Sequence, residues 1–249
     1  MLSDQQSVGS SSVLYSYCIP YDDGAAPNPY WGICTLAICK PVIRQTAEVG
    51  DWVVGTGSRN SPVGDTAGHV VYAMKVTLKM SMADYDQWAR QHLQTKTPAW
   101  RISDHRRRLG DSIYDFSKGY PRLRRSVHGY GNVITDLGGR NVLLSDHFYY
   151  FGDHAIELPE DLLPIVKQGQ GRRSWSNVPY ADAFVGWLEG IGIARGKHGR
   201  PQLDLFKNET EAATCAHQKR LEAEEDEEVG EEPRPPSFGL PPVSGLPGT

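Results

Sequence analysis

Residues 13–80 decide the fold. VLYSYCIPY (13–21), ICTLAICKP (33–41), WVVG (52–55) and HVVYAMKVTLKM (69–80) are aromatic and β-branched runs with turn residues between them. Pro41 stops the second run, and a Val49-Gly50-Asp51 turn feeds the third. Between the first two lies DDGAAPNPYWG (22–32), with two prolines, two glycines and an asparagine, which predicts a compact shaped loop. The first third of the chain therefore reads as strand after strand.

Downstream the periodicity changes. SMADYDQWARQHLQTK (81–96) has Ser81 as an N-cap and Tyr85, Trp88 and Leu93 at roughly helical spacing. LPEDLLPIVKQG (158–169) has Pro159 near its start and Gly169 past its end, as a short helix does. ADAFVGWLEGIGI (181–193) carries Phe184, Trp187, Leu188 and Ile191 on one helical face. NVLLSDHFYYFG (141–152) returns to strand character, while residues 97–130 read as loop with short turns. The expected architecture is α+β, a bent antiparallel or mixed sheet or a small barrel, with about three flanking helices. A doubly wound βαβ series is excluded because the helices are too few and too late.

Composition sets the boundaries. The chain has 249 residues, long enough for one sizeable core. Its mean hydropathy of -0.47 is diluted by the C-terminus. LEAEEDEEVGEE (221–232) has eight acids and no base, and the Pro/Gly/Ser-rich remainder has little to bury. Eight acids against Arg234 make the tail -7, so the whole-chain -4 leaves +3 on residues 1–220. We expect a disordered leader over 1–12, one domain over 13–220 and a disordered tail over 221–249. No run approaches the roughly 18 apolar residues of a membrane helix, and MLSDQQSVGSSS lacks a signal-peptide pattern. The expectation is a soluble cytoplasmic protein that does not engage membranes. Cys18, Cys34, Cys39 and Cys215 show neither CxxC spacing nor paired histidines, which argues against a zinc site and against a disulfide framework. No metal and no cofactor is assigned.

Several segments have residues suited to chemistry. GTGSRN (55–60) reads either as a glycine-rich turn or as a backbone-lined pocket edge; it lacks the lysine of a Walker loop. Residues 96–128 hold nine Lys/Arg against three Asp, interleaved with Trp100, Tyr114, Phe116 and Tyr120. Such a surface neutralises phosphates and stacks bases, or it is a solvated loop that pairs with the acidic tail. Within it Asp111 and Asp104 are the acid/base candidates if the protein is an enzyme; local carboxylates also serve as turn and capping residues. In SDHFYYFG the strand alternation puts Ser145, His147 and Tyr149 on one face and Asp146, Phe148 and Tyr150 on the other, so no Ser/His/Asp relay forms there. The second face reads as core, and Ser145 and His147 as pocket lining.

Blocks from YSYCIPYDDGAAPNPYWGICTLAICKPVIRQTAEVGDWVVGTGS through AGHVVYAMKV, MADYDQW, GDSIYDF, VLLSDHFYYFGDHAIELP and GRRS resemble the nucleotide modification associated domain, type two, over residues 13 to about 195. That resemblance implies an association, in bacteria and their phages, with DNA base modification or with modified nucleotides; it implies no catalytic residue set. VGDWVVGTGS with YAMKV is also similar to the barrel of PUA, EVE and ASCH-type domains, which bind modified or flipped bases.

The function these observations favour is recognition of a modified base or nucleotide, with DNA or nucleotide as partner. The pocket candidates are Tyr17, Asn28, Trp31, Thr56, Ser58, Lys75, Ser145 and His147. The phosphate candidates are Lys40, Arg44, Arg106, Arg107, Arg108, Arg140, Arg172 and Arg173. An enzyme acting on such a base, and an interaction protein whose acidic tail docks a basic protein partner, stay open beside it.

Overall fold

A computed structural model of the chain describes residues 12–169 and 171–206. Most of the expected leader, the last residues of the expected domain and the whole acidic tail lie outside the described residues, as do Gln170 and Cys215. In chain order the strands are β1 (Leu14–Cys18), β2 (Cys34–Leu36), β3 (Trp52–Thr56), β4 (His69–Lys75), β5 (Leu78–Ser81), β6 (Tyr114–Asp115), β7 (Arg122–Leu123), β8 (Asn141–Ser145), β9 (His147–Tyr150), β10 (Ile156–Glu157), β11 (Arg172–Arg173) and β12 (Gly196–Lys197). The α-helices among the described residues are α1 (Pro41–Thr46), α2 (Met82–His92), α3 (His105–Arg108), α4 (Val133–Gly138) and α5 (Ala181–Gly190).

The main sheet runs β11-β1-β3-β4-β9-β12, with β10 also on β4, and a smaller sheet runs β2-β8-β5. The main sheet is mixed: β1 lies parallel to β3 and β9 to β12, the remaining neighbours antiparallel. It stays open between β11 and β12, so the small-barrel alternative is not what forms.

The bend has a clear origin. HVVYAMKVTLKM becomes β4 and β5, and NVLLSDHFYY becomes β8 and β9, each crossing from one sheet to the other. Met74 pairs with Phe148 on one side of the crossing and Leu78 with Leu144 on the other. Val76 and Thr77 stand opposite Asp146 and Ser145, two residues on each strand, with the same register on either side of the crossing. Thr77 closes it, its N–H donating to Leu144 O at 2.9 Å and its Oγ1 accepting from Asp146 N–H at 3.3 Å.

Alternation along the strands separates two cores. Leu14, Trp52, Val54, Ala73 and Tyr149 face α5 and the 160–165 segment, through Phe184, Leu188, Leu162 and Ile165. Tyr15, Tyr17, Val53, Tyr72, Met74 and Phe148 face the smaller sheet and α1. Because both faces of the main sheet are covered, its strands read as nearly continuous apolar runs rather than as a clean alternation.

Three elements differ from the expectation. The segment 158–169 forms a 3₁₀ stretch, Glu160–Ile165, because Pro164 inside it offers no N–H for an α-helical bond. The strand expected over 33–41 ends at Leu36, since Cys39 and Lys40 take left-handed φ values of 58° and 45° and turn the chain into α1, which begins on Pro41. The helix expected over 81–96 ends at His92; Gln94–Lys96 continues as a 3₁₀ turn that carries Lys96 into the interior. The short helices α1, α3 and α4 bring the number above the three expected. No helix among the described residues is long and apolar enough to cross a membrane.

Candidate functional site

The site is a groove of about 370 Å³ at the edge of the main sheet. The 22–32 loop forms one wall with Tyr30, Trp31 and Gly32; β9 and the residue before it supply Phe148 and Asp146; the chain around β12 supplies Arg195 and Lys197; Arg106 of α3 closes it. Its volume is within the range of small-molecule pockets. The lining combines three aromatic rings and three cations with a single carboxylate.

The loop reaches this position by local constraint. Trp31 has φ 68° and Gly32 φ 79°, so the chain reverses tightly and sets the half-buried indole against the groove. Arg106 lies over the Trp31 ring, 4.9 Å from its centroid. The indole Nε1 is buried with no acceptor among the described residues, so a donor is left available beside the groove. Lys197 Nζ lies 5.7 Å from the Tyr30 ring centroid and 5.9 Å from that of Tyr150. Under this floor Tyr150 donates to Asp22 Oδ2 at 2.6 Å. Burial pushes the Asp22 carboxyl up to about 7, against the Tyr150 bond that lowers it.

A buried polar network anchors the same loop. Lys96, fully buried, donates from Nζ to Asn28 Oδ1 (2.7 Å), Ile33 O (2.8 Å), Thr35 Oγ1 (2.9 Å) and Asn28 O (3.0 Å). Asp111 accepts from Thr35 Oγ1 and, at 2.6 Å, from Tyr85 OH. Burial lowers the Lys96 ammonium to about 8 with Asp111 opposing, and raises the Asp111 carboxyl with Lys96 opposing. The network fixes the ends of the loop that carries Trp31.

Of the residues singled out in the sequence, Trp31 and Arg106 come together at the groove. Asn28 lies beneath it, its side chain on Lys96 and on Leu109 O. Tyr17 is in the core, its hydroxyl 2.9 Å from Tyr72 OH; Thr56 donates to Tyr17 O. Ser58 shapes the turn after β3 by accepting from Asn60 N–H. Gly55 in that glycine-rich segment is a packing residue: a Cβ there would lie 2.2 Å from Ile19 Cδ1. Lys75 ends β4 opposite Trp52 and His147. Ser145 is fully buried and donates to His147 O at 2.8 Å. His147 packs on Trp52, ring centroids 5.1 Å apart, on the α5 side of the sheet, with Nε2 3.1 Å from Glu189.

The two carboxylates proposed for acid/base work do not meet. Asp111 belongs to the buried network, and Asp104 is the N-cap of α3, accepting from Arg106 N–H at 3.0 Å. Bonding to Arg106 holds the Asp104 carboxyl below the usual range. Nor do the phosphate candidates gather in one place. Arg44 is fully buried; Lys40 caps α1; Arg140 is the left-handed residue before β8; Arg172 and Arg173 form the edge strand β11; Arg107 and Arg108 lie on α3, Arg108 donating to Ile102 O. The basic window is also partly neutralised from within, by Arg122 on Asp115 (2.6 Å) and Arg124 on Asp86 (2.7 Å).

Tyr30, Asp146, Phe148, Arg195 and Lys197 were not anticipated as lining. The alternation in SDHFYYFG puts Asp146 and Phe148 on one face, and the end of that face borders the groove. The basic cluster ARGKHGR (194–200) was the sequence signal available for Arg195 and Lys197. The family described as nucleotide modification associated domain 2 matches residues 11–209. No curated protein and no solved structure matches the chain.

Proposed function

Because the chain belongs to the family of nucleotide modification associated domain 2, we propose that the groove receives a nucleotide or an extruded base of a nucleic acid. The observation that carries this reading is the pairing of Trp31, Tyr30 and Phe148 with Arg106, Arg195 and Lys197 around one cavity. Aromatic faces stack bases whatever their identity, and Arg and Lys neutralise phosphate. Asp146 and the free indole N–H supply an acceptor and a donor for base edges, which is where a modified base differs from an unmodified one.

The test is binding of the full chain to single- and double-stranded DNA, unmodified and carrying modified cytosine or thymine, and to free nucleotides, across a salt series. The reading expects binding that weakens at least tenfold in Trp31→Ala and in Arg195→Ala. Binding untouched by both substitutions, or no binding at low salt, overturns it.

A further inference from the structure

Away from the groove, three buried side chains form a line: Cys39 after β2, His128 in the loop before α4, and Asp136 in α4. Cys39 Sγ lies 3.6 Å from His128 Nε2, and His128 Nδ1 lies 2.6 Å from Asp136 Oδ2. We propose that Cys39, His128 and Asp136 are a nucleophile, base and orienting carboxylate that transfer the acyl group of a small ester or thioester.

Position supports the roles. Cys39 stands at φ 58° on the sharp turn between β2 and α1, a placement that holds a nucleophile toward its base. Arg44, fully buried, clamps both ends of the line, donating to Cys39 O (2.6 Å), Asp136 O (2.5 Å) and Asn141 O (2.9 Å). Gly139 leaves room for that guanidinium, since a Cβ there would lie 2.2 Å from Arg44 Cζ.

The three ligand-type atoms lie within 4.8 Å of one another, close enough to hold a metal ion. The hydrogen bonding assigns Asp136 elsewhere. Its Oδ2 is used by His128 and by Tyr114 OH at 3.0 Å, and its Oδ1 accepts from Cys39 N–H at 2.9 Å. Burial raises this carboxyl, but His128, the Cys39 N–H bond and Arg44 outweigh it and hold Asp136 below the ordinary range. A carboxylate spent on the Nδ1 side fixes the imidazole with Nε2 toward sulfur, the geometry of a thiol and its base.

In the step, the Sγ–H proton passes to His128 Nε2 as sulfur bonds the acyl carbon. The carbon–leaving-group bond breaks and the leaving group takes the proton from Nε2. Water, giving a proton to Nε2, then attacks the S-acyl carbon, releasing a carboxylic acid and returning the proton to sulfur. Cys39 and His128 are 2% and 3% exposed, while Lys40, Pro41, Val127 and Gly129 around them are half-buried. Such enclosure restricts the substrate to a small acyl group.

The test uses the full chain with p-nitrophenyl acetate and, separately, iodoacetamide, the modified cysteines being located by peptide mass spectrometry. Acetyl on Cys39 with a burst of p-nitrophenolate, absent in Cys39→Ser, is expected. Alkylation of Cys39 should outpace that of Cys18 and Cys34 at least tenfold and slow tenfold in His128→Asn. If His128→Asn does not fold, the wild-type pH profile decides: alkylation setting in below the ordinary thiol range supports the relay, and an ordinary onset overturns it. A Cys39 that stays unmodified in the folded protein also overturns it. None of these outcomes depends on nucleotide binding in the groove.

Discussion

Lys96 and Asp111 are bridged inside the protein by one hydroxyl: Thr35 Oγ1 accepts from Lys96 Nζ and donates to Asp111 Oδ2. Two opposite charges, both removed from water, are thereby joined to the ends of the loop that bears Trp31.

Breaking this pair from one side leaves a buried charge without its counterpart. Asp111→Asn should lower unfolding free energy by about 3 kcal/mol, and Lys96→Met by a similar amount. Denaturant titration of the double variant should show less than the sum of the two losses, since the second change removes the charge that the first left uncompensated. Strict additivity would separate the two residues energetically.

Arg44 is an internal clamp. Arg44→Ala strips hydrogen bonds from three backbone carbonyls and should destabilise by about 3 kcal/mol, with binding in the groove unchanged in protein that remains folded. Gly139→Ala, which places a methyl against the Arg44 guanidinium, should cost about 1–3 kcal/mol. A shift in DNA affinity without a shift in melting temperature would instead give Arg44 a surface role.

Asp22 imposes a pH dependence of definite sign. Its carboxyl rises from 3.8 to about 7 on folding, so the folded state binds the extra proton between those values. The stability it contributes is full below pH 4 and is lost as pH rises toward 7, by up to about 1.4 kcal/mol per pH unit. Asp22→Asn should lack this component, so the stability difference between variant and wild type should grow in the variant's favour from pH 5 to pH 7. A difference independent of pH would refute the assignment.

Cations should sort by whether they line the groove or pair with carboxylates elsewhere in the fold. If DNA binds the groove, Lys197→Ala should reduce the salt slope by about one phosphate contact. Arg124→Ala, which abandons Asp86, should leave that slope alone and lower stability. Equal effects of the two would return the interface to the basic window as a whole.

The basic window shows why composition misplaces a surface. Nine cations over 96–128 suggested one cationic face, yet Lys96 is at the core, and Arg122 and Arg124 meet carboxylates of their own neighbourhood. Charge counts carry no direction. His128 and Asp136 lie eight residues apart, and Cys39 89 residues before His128, with no motif to join them.

The sequence alone determined the elements that local physics controls. Aromatic and β-branched runs made β1, β3 and β4, Ser81 capped α2, and the apolar face of Phe184 and Leu188 made α5. The aromatic, glycine-bearing loop around Trp31 was legible too, because Pro, Gly and Asn there admit no regular element. Tertiary structure decided where the strands bend, which cations reach solvent and which side chains meet. The β4–β5 and β8–β9 ribbon crosses from one sheet to the other at Asp146, and the groove and the Cys39–His128–Asp136 line join residues distant in sequence. Such contacts arise from packing both faces of the main sheet, which one-dimensional periodicity does not encode.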